Sequence, residues 1–294
     1  MKNSGLTASP EIAHAGYEIH IRASQRWFDF DLGDLWEFRD LFLLLVRKDF
    51  VVKYEQTVLG PIWFLLQPLL TTAIFTIIFS RIIGLSTDGA PPILFYLAGT
   101  TVWGYVSQTV VITGNTFSYN EDVFTKVFFP RLIMPLSIAS SNLIAIGIQL
   151  IVLIGFTVFF KIQSNSLDLH FFLGLGLVPL LIFQTLLLCL ACGFALSSLT
   201  AKYRDFVHIL PFLLQLWMYA SPVIYSASHV PDGFRWILYV NPLAPILENF
   251  KAIFLGTPPA GFQETLCSVS SVLLLLLLGL IAFRRTERTF ADVV

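Results

Sequence analysis

Charged side chains are scarce in this 294-residue chain, since Asp, Glu, Lys and Arg make up 13% of it and the net charge is -1. Soluble proteins average about 25% charged residues. Hydrophobic residues make up 56% of this chain, which is more than the core of a soluble protein could bury. A nucleic-acid partner is excluded as well, because it needs a basic face rather than a balanced charge total. Cysteine is also rare, with three residues, which implies no disulfide framework.

Motifs for catalysis and metal binding are missing too. No GxxxxGK[ST] occurs, so this chain is not expected to hydrolyse a nucleotide itself. Cys189 and Cys192 form a CxxC pair inside an apolar stretch, without the second pair or the histidines that a zinc site needs. The apolar stretches hold neither acid pairs nor proton-relay histidines, which argues against a proton-driven transporter and an intramembrane hydrolase. Any energy that the chain uses must therefore come from elsewhere.

What the chain does contain is six long apolar stretches, and its mean hydropathy is +0.76. Each stretch lacks Asp, Glu, Lys and Arg and reaches the roughly 17 to 25 residues that a helix needs to cross a bilayer. The runs are continuous rather than alternating, as barrel strands would be. We predict an all-α integral membrane protein with six transmembrane helices, at residues 62–80, 91–120, 132–160, 171–201, 206–228 and 265–283.

The distribution of basic residues predicts the orientation. If the N-terminus lies in the cytoplasm, all but four of the 18 Lys and Arg residues fall on the cytoplasmic side. The positive-inside rule therefore places both termini in the cytoplasm. The transmembrane domain covers 58–285, and 286–294 form the cytoplasmic C-terminus. The four basic residues on the outer side are Arg81, Lys161, Arg235 and Lys251.

Two segments precede the first span. We predict that residues 1–34 form a cytoplasmic tail, and a docking arm is the alternative. In residues 35–57, apolar side chains recur at helical spacing from Phe38 to Leu45, with charges largely on the opposite face. This pattern is typical of an amphipathic helix at the membrane surface. A solvated connector is the alternative.

A short polar segment, residues 119–131, separates the second and third spans. Glu121 and Asp122 lead it, and Lys126 and Arg131 follow, which is the charge order that suits a helix dipole. We predict a short cytoplasmic helix here, and a plain loop is an equal alternative.

Residues 229–260 are apolar but broken by proline and glycine. They divide into two pieces that are each too short to cross a membrane, which indicates re-entrant half-helices between the fifth and sixth spans. Glu248 and Lys251 lie three residues apart in the second piece, where they would face each other or a watery cavity rather than lipid. A hydrophobic extracellular cap is the alternative.

Four distinctive blocks are spaced along the chain. The first is the run RDLFLLLVRKDFVVKYEQTVLGPIWFLLQPLL, which begins at Arg39. The others are KVFFPRLIMPLS from Lys126, YRDF with SPVIY from Tyr203 to Tyr225, and NPLAPILENFKAIFLG from Asn241. In this order the four blocks resemble the polysaccharide and polyol-phosphate permeases of the ABC-2 transporter family, and the resemblance covers roughly residues 36 to 285.

The resemblance implies an O-antigen, capsule or teichoic-acid exporter subunit in the bacterial inner membrane. It implies a homodimer with two separate ATPase subunits, which bind ATP and magnesium, so that this chain holds no cofactor and is not an enzyme. The cargo would be a lipid-linked glycan. By the same resemblance, 119–131 is the coupling helix and 229–256 the outer gate helices. ATPase-coupling candidates are Arg39, Arg47, Lys48, Glu121, Asp122, Lys126 and Arg131.

Aromatic residues reach 15% of the chain, and most should lie in interface belts or packing. A minority that lines a path would stack on sugar rings without holding them tightly. The channel and gate candidates are Trp63, Phe64, Tyr96, Trp103, Tyr225, Glu248 and Lys251.

Two departures and two alternatives accompany the resemblance. Glu55 stands where a basic residue is common, and Lys251 where arginine is common. A membrane-bound glycosyl- or acyltransferase is one alternative, although Asp88, Asp168 and Asp232 are scattered outer-side acids rather than a catalytic set. The other alternative keeps the architecture but exports small amphiphiles.

Overall fold

The computed structural model describes residues 36–53, 55, 57–120, 123–124, 129–165 and 169–293. The predicted tail 1–34 lies outside these residues, as do the coupling candidates Glu121, Asp122 and Lys126. Every regular element assigned within the described ranges is helical, which confirms the all-α prediction.

Eleven α-helices are assigned among the described residues, together with short 3-10 turns at Gly60–Ile62, Ala227–His229 and Asp232–Phe234. A π-helical segment over Thr76–Ile82 directly extends α2. The helices are α1 (Arg39–Val52), α2 (Trp63–Phe75), α3 (Pro92–Gly114), α4 (Thr116–Tyr119), α5 (Ile133–Gln163), α6 (Leu169–Leu175), α7 (Val178–Lys202), α8 (Asp205–Tyr219), α9 (Arg235–Val240), α10 (Leu243–Leu255) and α11 (Phe262–Val293).

The long helices form a bundle with two distinct ends. One end carries α1, α4 and the last turns of α11, and we call it the α1 end. The other carries α9, α10 and the loop at 83–91, and we call it the α10 end. Helices α2, α5 and α8 run from the α1 end to the α10 end, and α3, α7 and α11 run back. At each end a hydrogen bond joins two segments that are distant in the sequence. Arg131 donates to Glu287 at the α1 end, and Ser228 donates to Asp88 at the α10 end.

Within the described part of the chain, four helices are long and apolar enough to cross a membrane. They correspond to predicted spans one, three, four and six. Helix α3 lies at predicted span two and has 23 residues, several of them buried threonines, and α8 lies at predicted span five. The six-span count therefore stays a prediction. The four helices run over Trp63–Ile82, Ile133–Gln163, Phe171–Lys202 and Phe262–Arg288.

Helix α8 is shorter than the apolar run that predicts it. It has 15 residues and ends at Tyr219, whereas the run continues to residue 228. Pro222 explains the difference, because proline has no N–H to donate and disfavours helical geometry in the residue before it. The chain after α8 is therefore irregular up to the turn at Ala227–His229.

Helix α3 is the central helix and packs against α2, α5, α7 and α10. Its side chains at Ala98, Val106 and Val110 are fully buried. Glycines allow close approach of helices, as is usual in membrane bundles. Gly193 of α7 lies directly against Thr113 of α3, and Gly279 of α11 lies against the backbone of α7.

Helix α1 lies within the segment 35–57 that is predicted to be an amphipathic helix, and it packs on α5. Leu45 is buried, while Arg47 and Lys48 are exposed. The two short pieces predicted between 229 and 260 are also present, as α9 and α10. The positions of α1 and α10 relative to a membrane stay predictions.

Candidate functional site

A polar groove of about 820 Å³ runs between α2, α3, α5 and α8. Its walls carry amide side chains and two tryptophans, and Lys53 is the one charged side chain among the described residues that line it. Several of the amides are exposed, so the groove is open along one side. The amide side chains are Gln67, Gln108, Asn142, Gln149 and Gln215.

Hydrogen bonds hold the α1 end of the groove together. The Lys53 ammonium, just after α1, donates to Asn142 Oδ1 of α5 (2.6 Å), and the Asn142 amide donates to Thr109 Oγ1 of α3 (3.0 Å). Burial lowers the pKa of Lys53 from its ordinary value, while the nearby Asp49 carboxylate opposes that shift. Gln149 Nε2 donates to the Phe64 carbonyl oxygen (3.1 Å) and so joins α5 to α2.

Three of the predicted channel residues, Trp63, Phe64 and Trp103, line this groove. Tyr96 does not line it, because Tyr96 is fully buried and its ring packs edge to face against that of Phe75. The indole of Trp103 contacts that of Trp217 edge to face, with ring centroids 6.1 Å apart. Trp217 Nε1 in turn donates to Asn241 Oδ1 (2.9 Å), which joins the groove wall to the start of α10.

A second cavity, of about 580 Å³, lies at the α10 end between α9, α10 and the segment that follows α8. The gate candidates Glu248 and Lys251 both line it, whereas the half-buried Tyr225 is not among its described lining residues. The other charged side chains that line it are Asp88, Arg235 and Glu264.

Lys251 fastens α10 to the segment after α8. Its side chain is buried, and the ammonium donates to the Pro222 carbonyl oxygen (2.6 Å). The same nitrogen lies 3.6 Å from the centroid of the Phe95 ring, a cation–π distance. The carbonyl oxygens of Pro222 and, at 3.4 Å, Val223 and the face of the Phe95 ring therefore surround the ammonium.

Sequence reasoning gave no role to the Asp88 cluster at the mouth of this cavity. The Asp88 carboxylate accepts hydrogen bonds from Ser226 and from Ser228 (2.8 Å), and His229 Nδ1 lies 3.4 Å from it. These contacts join the loop before α3 to the turn after α8, 138 to 140 residues away. The only local signal is the Asp-Gly turn at 88–89, which predicts a turn but no partner.

At the α1 end, phenylalanine rings from three segments pack together. Phe117 follows α3, Phe194 lies on α7 and Phe283 on α11, and the Phe283 centroid lies 4.9 Å from that of Phe117 and 5.2 Å from that of Phe194. Phe124 and Phe129 of the predicted coupling segment extend this cluster. Helix α1 packs on the same cluster through its apolar face.

Arg131 closes the predicted coupling segment against α11. Its backbone N–H donates to Glu287 Oε1 (3.2 Å), and its guanidinium donates to the Glu287 carbonyl oxygen (2.8 Å). The guanidinium also stacks 5.6 Å from the centroid of Phe124. The coupling candidates on α1, namely Arg39, Arg47 and Lys48, are exposed.

Nothing in the described residues suggests a metal centre, since no group of three or more His, Cys, Asp or Glu side chains is placed to hold an ion. Cys189 and Cys192 are free thiols in the bundle, and Cys267 is free and exposed.

The chain is similar to several transport permeases. The O-antigen export system permease protein RfbA of Myxococcus xanthus is 27% identical over 260 residues, 86% of this chain and 96% of that protein. A protein of the same name from Klebsiella pneumoniae is 24% identical over 267 residues, 90% of this chain and 98% of that protein. The capsule polysaccharide export inner-membrane protein CtrC of Neisseria meningitidis is 20% identical over 255 residues, 83% of this chain and 90% of that protein.

The family profile of ABC-2 type transporters matches residues 40–255, from the start of α1 to the end of α10. That range includes the groove walls and most of the cavity at the α10 end. A match over most of the chain, on an all-helical bundle with apolar helices of membrane-crossing length, leaves one assignment: the chain belongs to the ABC-2 type transporter family, as a membrane subunit.

Proposed function

We propose that this chain is the permease subunit of an ABC exporter that moves a lipid-linked polysaccharide, of the O-antigen type, across the bacterial inner membrane. The observation that carries the proposal is the groove. Its walls carry amide and tryptophan side chains and almost no charged ones, although the surrounding helices are apolar. The similarity to proteins named for O-antigen export and for capsule polysaccharide export supports the cargo class.

The groove suits a sugar polymer for a physical reason. Amide side chains both donate and accept hydrogen bonds, so they replace the water around sugar hydroxyls. Indole faces add broad apolar contact at low entropic cost. Conduction needs many weak contacts rather than one strong site, and a nearly uncharged wall provides them.

Two copies of the chain would enclose the path. The groove is open along one side, and apolar side chains of α2, of its π-helical extension and of α8 are exposed beside that opening, for example Ile74, Ile77, Phe212 and Leu216. Packing these faces of two subunits would bury them and join two half-grooves. All six long helices would then cross the bilayer, α8 with help from the segment after it.

The charge distribution supports placing the α1 end in the cytoplasm. There the exposed basic residues of α1 and the segment 119–131 would receive a separate ATPase subunit, which binds ATP and magnesium. At the α10 end, α9 and α10 would dip into the outer leaflet and close the path. ATP-driven closure of the partner would push the α1 end, and the α10 end would open.

Depletion of this chain in its own cells tests the proposal. We expect lipid-linked glycan to accumulate inside the cell while finished glycan disappears from the surface. Loss of glycan synthesis would instead indicate a membrane glycosyl- or acyltransferase, and two unchanged glycan pools would indicate export of a small amphiphile.

A further inference from the structure

Helix α11 is longer than a bilayer requires. Its 32 residues extend about 48 Å at about 1.5 Å per residue, whereas the hydrocarbon core is about 30 Å thick. The last turns of α11 lie at the α1 end and carry Glu287, a residue to which the sequence analysis gives no role.

Glu287 is held on three sides. Its Oε1 accepts from the Arg131 backbone N–H (3.2 Å), its carbonyl oxygen accepts from the Arg131 guanidinium (2.8 Å), and its Oε2 lies 3.3 Å from Arg284 Nη1. The carboxylate is largely buried, with 18% of the side chain exposed. Charge-assisted hydrogen bonds of this kind are stronger than neutral ones, so they fix the end of the coupling segment to α11.

Packing beside this contact makes the connection stiff. Phe283, one turn before Glu287, is fully buried between Phe117 and Phe194. Further along, Gly279 lies so close to α7 that a Cβ there would be 2.5 Å from the Ala191 carbonyl oxygen. Close-packed interfaces transmit displacement because they have little free volume to absorb it.

The other end of α11 contacts α10 directly. The Ser268 hydroxyl donates to the Pro242 carbonyl oxygen at the start of α10 (2.6 Å). The Asn249 amide of α10 donates to the Thr265 hydroxyl (3.1 Å). One continuous helix therefore bonds to the coupling segment at one end and to α10 at the other.

We infer that α11 transmits movement of the coupling segment to α10, with Glu287 and Ser268 as the positioning residues at its two ends. The inference rests on the proposed function and adds to it the element that joins the ATPase side to the outer gate. Other helices connect the two ends, but the described contacts of α11 include direct hydrogen bonds to both moving parts.

The first test replaces Glu287 in the full complex of permease and ATPase, reconstituted with lipid-linked glycan from the same cells. For Glu287→Ala we expect normal assembly and an unchanged KM for ATP, with export per ATP hydrolysed lower by about tenfold, the effect of losing a hydrogen bond to a charged group. Glu287→Gln, which keeps an acceptor for the Arg131 N–H, should fall between. Thr286→Ala is the matched control, since among the described residues the Thr286 hydroxyl bonds within α11, to the Ala282 carbonyl oxygen.

Normal export per ATP in Glu287→Ala would overturn the inference. If that variant does not assemble, Glu287→Gln decides: reduced export per ATP supports the inference, and a normal value overturns it.

A double-variant experiment tests transmission along α11. If both ends act through one helix, Ser268→Ala should lower export per ATP, and the pair Ser268→Ala with Glu287→Ala should be no worse than the worse single variant. Multiplying effects would overturn transmission through α11. Failure of the proposed function is distinguishable, because then the unmodified chain would show no glycan export in the depletion experiment.

Discussion

Gly279 offers the sharpest test of how tightly α11 is held. A Cβ at this position would lie 2.5 Å from the Ala191 carbonyl oxygen and 3.3 Å from the Ala195 nitrogen. Ordinary carbon–oxygen contacts begin at about 3.3 Å. Both obstructing atoms are backbone and cannot rotate away, so Gly279→Ala must push α11 and α7 apart.

The magnitude follows from two opposing effects. Overpacking of a close contact costs about 1 to 3 kcal/mol, while alanine in a helix interior is favoured over glycine by about 1 kcal/mol. Gly147→Ala on α5 is the matched control, because a Cβ there meets nothing within 4 Å and only the favourable effect remains. The unfolding free energies of the two variants should therefore differ by about 1 to 3 kcal/mol, the overpacking cost alone.

Thermal unfolding of the purified protein in detergent, followed by tryptophan fluorescence, measures the difference. We expect the Tm of Gly279→Ala to lie below that of Gly147→Ala by several degrees. Equal melting temperatures would refute the close approach of α11 to α7, and with it the stiffness on which transmission along α11 depends.

Three further predictions concern the groove, the orientation and the cavity at the α10 end. Trp103→Ala should lower glycan export about fivefold by removing an aromatic wall of the groove, whereas Phe183→Ala, exposed on α7, should not, and equal export by both variants would remove the groove from the path. With the native cysteines replaced, Ser228→Cys should react with an impermeant thiol reagent outside the cell and Ser118→Cys should not, and the reverse labelling would invert the topology. Lys251→Met should lower the unfolding free energy by about 1 to 3 kcal/mol, because it leaves a buried carbonyl oxygen without its donor, and an unchanged Tm would contradict that role for the ammonium.

Local sequence signals were sufficient for the short helices at the α10 end. Pro231 and Pro242 mark where the two pieces begin, and Gly256 ends α10 in the left-handed conformation, with φ of 72°. Proline and glycine act on their own backbone, so their effect can be read from the sequence without knowledge of any partner. The boundaries of α9 and α10 follow from those residues.

The inward and outward faces of α3 could not be predicted, and Tyr96 shows why. Apolar residues occur all around this helix because other helices surround it, so no periodicity separates a groove side from a packed side. Trp103 lines the groove and Tyr96 does not, although both are aromatic residues of the same helix.

The contact of Arg131 with Glu287 could not be predicted from the sequence either, for a different reason. The two residues are 156 positions apart, and they meet only because α11 packs along α7 and brings its last turns beside the coupling segment. A single acid near a chain end carries no local pattern. Contacts of this kind depend on the order in which the whole bundle is packed, which is tertiary information.

The proposed export mechanism requires strong contacts and weak contacts in different places, and the chain separates them. Charged or closely packed contacts fasten the ends, at Glu287 and at Lys251, where displacement must be transmitted without loss. The groove between them offers neutral amides and indoles, each of which contributes little to holding a sugar. A polymer bound by many weak contacts can advance when the ends move, because no single step requires a strong bond to break. Placing a carboxylate or a second ammonium in the groove, for instance by Gln108→Glu, should therefore slow export. The sugar would bind more tightly at that position than at the others and would leave it more slowly.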